Sequence, residues 1–249
     1  MIYVIQNAVD CTRFTPDPTL RSPKGTINIV VLSRLHFRKG IDMLVDIIPK
    51  ICRDYKNIHF IIGGDGPKRP ILEELRKKYH LEDRMEMLGS VPHARVREVL
   101  CRGHIFLNTS LTEAFCIAIL EAASCGLMCV STNVGGIPEI LPPNMLLLAP
   151  AKVDLLCAQL ENAIKKCQRH DMPVQNFHDI VSKLYNWRQV ATRVERVYEK
   201  VEFQEKPTTL GRIKASLSLG PIAGIGHLFL IILDLILLVL IELFQPAEQ

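Results

Sequence analysis

Six short apolar or β-branched runs alternate with helix-patterned stretches between Ile27 and Pro150, and this alternation constrains the chain more than any other feature. The runs are INIVVLS (27–33), IHFIIGG (58–64), RMEML (84–88), HIFLNTS (104–110), MCVST (128–132) and MLLLA (145–149). Strands interleaved with amphipathic helices predict an α/β fold, a doubly wound parallel sheet. The helices are expected near 40–55, 68–80, 93–102, 113–125 and, more briefly, 136–141, followed by 152–168 and 176–204.

With 249 residues the chain has room for one sizeable domain and an appendage. Its 30 Lys and Arg against 26 Asp and Glu leave a formal charge of +4, spread over helices and loops, which argues against nucleic acid as a partner. The eight cysteines mostly fall inside apolar patterns and lack disulfide-framework or C-x-x-C spacing, so they read as reduced core residues, with Cys125 and Cys129 at a buried turn. No His/Cys cluster has zinc spacing, and no metal site is expected.

The amino terminus, MIYVIQNAVD, has neither a basic region nor a long apolar one, so it does not read as a signal peptide. At the other end, residues 219–244 are apolar for longer than the roughly 20 residues that cross a bilayer, interrupted by Asp234 and Glu242. The alternative is the core helix of a globular domain. We place a transmembrane helix at 217–244, a charged, Pro-broken link at 205–216 and a short tail at 245–249. Lys206, Arg212 and Lys214 precede the span while Glu242 and Glu248 lie at or beyond its end, so the large domain is expected in the cytosol and the tail across the membrane. Asp234 predicts a partner helix or a polar contact, a snorkelling single carboxyl being the alternative.

In open α/β sheets ligands lie beyond the carboxyl ends of the strands. After the first strand, SRLHFRKG places Arg34 and Lys39 around a turn that opens a helix at Gly40, and two cations at a helix start suit a diphosphate; a solvated basic pair is the plainer reading. GGDGP (63–67) and VGGIPE (134–139) are glycine turns that allow either close approach of a ligand or simple chain reversal. In SLTEAFCIAILEAASCG (110–126), Glu113 is expected at a helix start and Glu121 two turns further on. A covered carboxylate needs donors. A sugar ring or a ribose diol supplies them, and so would neighbouring amides or an Arg.

Taken together, SRLHFRKG, GGDGP, the Glu-x7-Glu of TEAFCIAILEAASCG and VGGIPE resemble, in order and spacing, the nucleotide-sugar half of the retaining glycosyltransferases built from two Rossmann-like domains, the GT-B fold. Through FIIGGDGPKR, GHIFLNTSLTEAFCIAILEAASCGL, VGGIPEILP and the apolar carboxyl-terminal span, the chain is similar to the branch of that family that begins glycosylphosphatidylinositol-anchor synthesis. The resemblance covers nearly the whole chain. It implies transfer of N-acetylglucosamine from UDP-N-acetylglucosamine to phosphatidylinositol, with retention. It implies an endoplasmic reticulum membrane setting, other subunits of a transferase complex as partners, and no cofactor besides the donor substrate.

By the resemblance, Arg34 and Lys39 neutralise the diphosphate and Glu113 holds donor-sugar hydroxyls, the three acting in catalysis. Gly64 and the amides of Phe115 and Cys116 line the donor, and Glu121 takes the ribose hydroxyls. The chain has no D-x-D sequence, in keeping with protein cations in place of a metal. Residues 1–26 resemble the family's interdomain linker, with Gln6 where Pro is usual, and a preceding acceptor-side domain is expected to be missing. That leaves a non-catalytic, membrane-anchored component that binds UDP-sugar or other subunits as the alternative. A Rossmann dehydrogenase fails because no G-x-G-x-x-G opens the first helix.

Overall fold

The computed structural model describes residues 2–22, 25–169, 176–202 and 208–244, the side chain of Glu242 excepted. The chain divides into two compact units, Met1–Glu195 and Arg196–Gln249. Lys206, Glu248 and the tail at 245–249, on which the expected topology partly rests, lie outside the described residues, as does 205–207 of the link.

The first unit is a six-stranded sheet of β1 (Ile27–Leu32), β2 (Ile58–Gly63), β3 (Met85–Gly89), β4 (Ile105–Asn108), β5 (Met128–Thr132) and β6 (Leu146–Ala149). The strands lie in the order β3-β2-β1-β4-β5-β6, and every pairing is parallel. β4 and β5 are buried along their whole length. Burial on both faces is what turns these strands into continuous apolar runs. The expected doubly wound sheet is therefore the observed one.

The order reverses between β1 and β4. β1 runs in register with β2 for six residues, Ile27↔Ile58 to Leu32↔Gly63, but with β4 at Ile29↔Ile105 and Val30↔Phe106. Their carboxyl ends part, and the crevice of a doubly wound sheet opens there.

Helices α1 (Ile41–Asp54), α2 (Arg69–Lys78), α3 (Val96–Cys101), α4 (Ile117–Ser124) and α5 (Val153–Gln168) surround the sheet. α1 buries Ile41, Leu44, Ile48 and Ile51, the spacing of one helical face. The eight cysteines are free thiols, six of them buried, as core residues should be.

Four helical expectations are corrected. The helix expected over 113–125 begins at Ile117, because the backbone before it is bonded elsewhere: Leu111 N donates to Arg38 O and Glu113 O accepts from Gly136 N. Residues 136–141 form one 3-10 turn, Ile137–Glu139, and 93–102 begins with another, His93–Arg95, before α3. The stretch 176–204 splits into α6 (Phe177–Leu184) and α7 (Trp187–Glu202). Tyr185 makes the break: it leaves helical geometry, its carbonyl accepts from Val9 N, and its hydroxyl donates to Ile140 O at 2.6 Å.

The second unit contains α8 (Thr209–Leu217) and α9 (Pro221–Phe244), joined through Gly220 at φ 93°. Most of the segment read as a link is thus helical, with Thr208 Oγ1 accepting from Gly211 N at 3.2 Å. α8 folds back on α9. Ser216 Oγ lies 2.8 Å from His227 Nδ1, and Gly224 leaves room for Ser216 O.

Pro221–Ile241 has a mean hydropathy of 2.7 and is 11% buried, long and apolar enough to be a candidate membrane span. The 24 residues of α9 rise about 36 Å, enough for a bilayer core. The polar contact expected for Asp234 comes from its own chain: Arg212 Nη2 stands 3.8 Å from Asp234 Oδ2.

Candidate functional site

The crevice is walled by the loops that leave β1 and β4. The first turns through Phe37–Lys39 into Gly40, whose φ of 65° opens α1. A Cβ at Gly40 would sit 1.8 Å from Thr109 O, so the glycine is needed for the two loops to touch. They are latched by Thr109 Oγ1 donating to Lys39 O at 2.8 Å and by Leu111 N donating to Arg38 O at 2.8 Å.

Across this latch the Lys39 amine pairs with Glu113 Oε1, both side chains being largely covered. Glu113 therefore stands on the loop before α4, not in its first turn. Ser110 Oγ lies 3.2 Å from the same carboxylate oxygen and 2.9 Å from Asn108 Oδ1, while Asn108 Nδ2 donates to Ser131 Oγ at 2.9 Å. These three polar side chains are buried, so Glu113 rests on a satisfied internal network that fixes its direction.

The VGGIPE loop holds Glu113 from behind. Gly135, at φ 53°, would bring a Cβ to 1.8 Å from Glu113 O, and one at Gly136 would come to 2.2 Å from Ala114 O. The close approach of the Glu113 loop is thus what requires these glycines. Gly64 is similar: at φ 134° it faces Ser33 O, and its amide donates to Gly89 O at 2.6 Å.

Arg34 is exposed on the Lys39 loop, with no ion pair among the described residues. Phe115 is half-buried with its ring 5.8 Å from that of Tyr185, and Cys116 caps the start of α4. Among the described residues the amides of Phe115 and Cys116 have no acceptor, and a helix start with free amides favours an anion. Burial, with the Glu113 charge next, pushes the Cys116 thiol up to about 11, so it stays protonated. Beside this loop, residues 4–7 and Ala114, Phe115, Gly136 and Glu139 enclose a cavity of about 220 Å³.

Glu121 lies on α4 with 13% of its side chain exposed, and its partner is His93 Nε2 at 3.5 Å. Burial raises its carboxyl above the usual range, and the His93 imidazole works against that shift. The helix pattern anticipates donors for Glu121 but does not single out His93. A signal for it exists, since His93 follows the end of β3, one of the strand ends where ligand-facing residues gather. No group of three or more His, Cys, Asp and Glu that could hold a metal ion occurs among the described residues.

A 3-2-1-4-5-6 parallel sheet with a cation–carboxylate pair and free helix-start amides at its switch point defines a GT-B-like glycosyltransferase domain. Residues 26–166 match the family described as Glycosyl transferases group 1. The chain belongs to that family.

It is 49% identical to a phosphatidylinositol N-acetylglucosaminyltransferase subunit of Homo sapiens over 248 residues, 99% of this chain and 51% of the human protein. With the protein of the same name from Arabidopsis thaliana it shares 49%, over 100% of this chain and 55% of that one. The chain thus spans about half the length of these curated relatives. Among solved structures, sucrose-phosphate synthase from Thermosynechococcus elongatus superposes with a TM-score of 0.69 at 22% identity, over 79% of this chain and 52% of that one, a likeness of fold.

Proposed function

We propose that this chain carries the donor half of a retaining transferase that moves N-acetylglucosamine from UDP-N-acetylglucosamine to phosphatidylinositol, the opening step of glycosylphosphatidylinositol-anchor synthesis. The observation that carries the reading is the Lys39–Glu113 pair at the β1/β4 crevice. A diphosphate calls for a cation and a sugar ring for a carboxylate, and the pair holds both. The names borne by relatives similar over the whole chain support N-acetylglucosamine as the sugar moved and phosphatidylinositol as the acceptor.

In this reading Arg34 and Lys39 meet the diphosphate, with the amides of Phe115 and Cys116 beside it. As the glycosidic bond breaks, these donors stabilise the charge that develops on the leaving diphosphate. Glu113 holds sugar hydroxyls, Glu121 the ribose, and Gly64 borders the donor. The acceptor hydroxyl attacks from the face the diphosphate leaves, which retains the anomer. UDP-N-acetylglucosamine is a substrate, and the reading needs no further cofactor.

Anchored by α9 in the endoplasmic reticulum membrane with its α/β unit in the cytosol, the chain would meet a lipid acceptor at the bilayer surface, and other subunits of the transferase complex through its helices. The test is to incubate the full chain in phosphatidylinositol-containing bilayers with radiolabelled UDP-N-acetylglucosamine, with and without the other subunits. Labelled lipid that is lost in an Arg34→Ala, Lys39→Ala double variant is expected. Saturable donor binding without transfer under every condition would leave a donor-binding component, and absence of binding would remove the reading.

A further inference from the structure

His93 and Glu121 are joined by a closed circuit of contacts. The His93 ring meets Phe14 edge-on, with centroids 5.9 Å apart at 77°. Phe14 is buried, and its carbonyl accepts from Ser124 Oγ at 2.6 Å, three residues along α4 from Glu121. Arg13 Nη2 donates to His93 O at 2.8 Å, and its guanidinium stands 5.9 Å from the centre of the Phe14 ring. The helix that carries the carboxylate therefore also fixes the imidazole that faces it. On its other side His93 is open, its side chain 65% exposed.

His93 makes the ion-pair contact to Glu121, and the Arg13 charge also acts on the carboxylate. A carboxylate has about four acceptor positions. His93 Nε2 stands 3.5 Å from one carboxylate oxygen, and two adjacent acceptor positions suit a vicinal diol. Burial raises the Glu121 carboxyl, and the His93 imidazole and, after it, the Arg13 charge act against that shift.

We propose that His93 is a positioning residue for the nucleoside: it orients the Glu121 carboxylate so that both ribose hydroxyls donate to it, and the pair thereby selects ribonucleotides over 2′-deoxyribonucleotides. The inference rests on the donor-binding reading of the crevice and deepens it. A hydrogen bond to a charged group contributes enough that losing the 2′-hydroxyl should lower affinity roughly tenfold or more.

The experiment is calorimetric titration of the full chain in detergent with UDP and with 2′-deoxy-UDP, for the parent, His93→Phe and His93→Gln. Phe keeps a ring against Phe14 and removes the donor, whereas the Gln amide can donate from nearly the same place. The parent should prefer UDP roughly tenfold or more. His93→Phe should lose most of that preference, weakening UDP more than 2′-deoxy-UDP, which offers only its 3′-hydroxyl to Glu121, and His93→Gln should recover part of it. An unchanged ratio in His93→Phe, or equal weakening of both nucleotides, overturns the inference. A parent that binds UDP without preference sinks the inference alone, while a parent that binds neither nucleotide sinks the donor-binding reading and the inference with it.

Discussion

Lys39, on the loop that leaves β1, is paired with Glu113, on the loop that leaves β4, 74 residues further along the chain. The side chains are only 22% and 14% exposed, so each charge answers the other within the crevice. Neither charge is idle. A diphosphate would draw Lys39 away and a sugar hydroxyl would donate to Glu113, so occupancy exchanges one pair for two contacts.

The exchange predicts opposite effects from its two members. Glu113→Gln frees Lys39 from its competitor and should raise affinity for UDP a few-fold while lowering sugar transfer by roughly tenfold or more. Lys39→Ala should lower UDP affinity by roughly tenfold or more, the loss of one charge-assisted contact. Either single change leaves a covered charge unanswered and should cost about 1–3 kcal/mol of stability. Titration with UDP alone and with the nucleotide sugar separates the cases, and UDP affinity unmoved by both variants would place the pair outside the site.

Gly135 tests whether the glycine loop shapes the site without touching a ligand. A Cβ there, at φ 53°, would meet Glu113 O at 1.8 Å, so Gly135→Ala must push the Glu113 loop aside. Strain of this kind costs about 1–3 kcal/mol. Donor binding should weaken together with thermal stability. A variant that melts early yet binds the nucleotide sugar normally would show that the displaced loop is not part of the site.

The strands were readable because parallel strands buried on both faces leave unbroken apolar runs in the sequence. The start of α4 was not. TEAFC has ordinary helical residues, but Leu111 and Glu113 commit their backbone to Arg38 and Gly136, partners that spacing along the chain does not reveal. Gly135 and Gly136 were visible as turn residues, yet what they make room for, the carbonyls of Glu113 and Ala114, lies far back along the chain in the loop after β4. Glu121 was legible as a carboxylate in need of donors. Its donor was hidden because His93 is brought to it by Phe14, from a segment near the amino terminus that reads as linker.

At the amino end of the sheet, away from the crevice, His104 accepts from Asn28 N through Nδ1 at 3.1 Å. Burial, with the Arg21 charge second, holds its imidazole down at about 4. In the unfolded chain the same group takes a proton near pH 6.5. Between these values the unfolded state binds the extra proton, so this contribution to stability is complete above about pH 6.5 and is lost as the pH falls toward 4. The loss amounts to about 3 kcal/mol. Denaturant unfolding at a series of pH values should show a shallower decline in His104→Asn than in the parent. Parallel curves would mean that the folded imidazole takes its proton as readily as the unfolded one.

Arg212 and Asp234 form a charge pair within the second unit. Asp234 lies well inside the apolar stretch of α9, where a carboxylate without a partner costs about 2.5–3.5 kcal/mol on insertion scales. The fold-back of α8 brings Arg212 Nη2 to 3.8 Å from it, so the charge is answered within the hairpin. Arg212→Ala and Asp234→Ala should each destabilise the membrane-inserted protein, because either change leaves the other charge unanswered in the hairpin. The double variant should recover most of the loss. Thermal aggregation of the protein in bilayers, followed for the parent, both single variants and the double, measures this coupling. Additive effects, with no recovery in the double variant, would mean that Asp234 is neutralised by lipid headgroups or by another chain, and that Arg212 serves α8 alone.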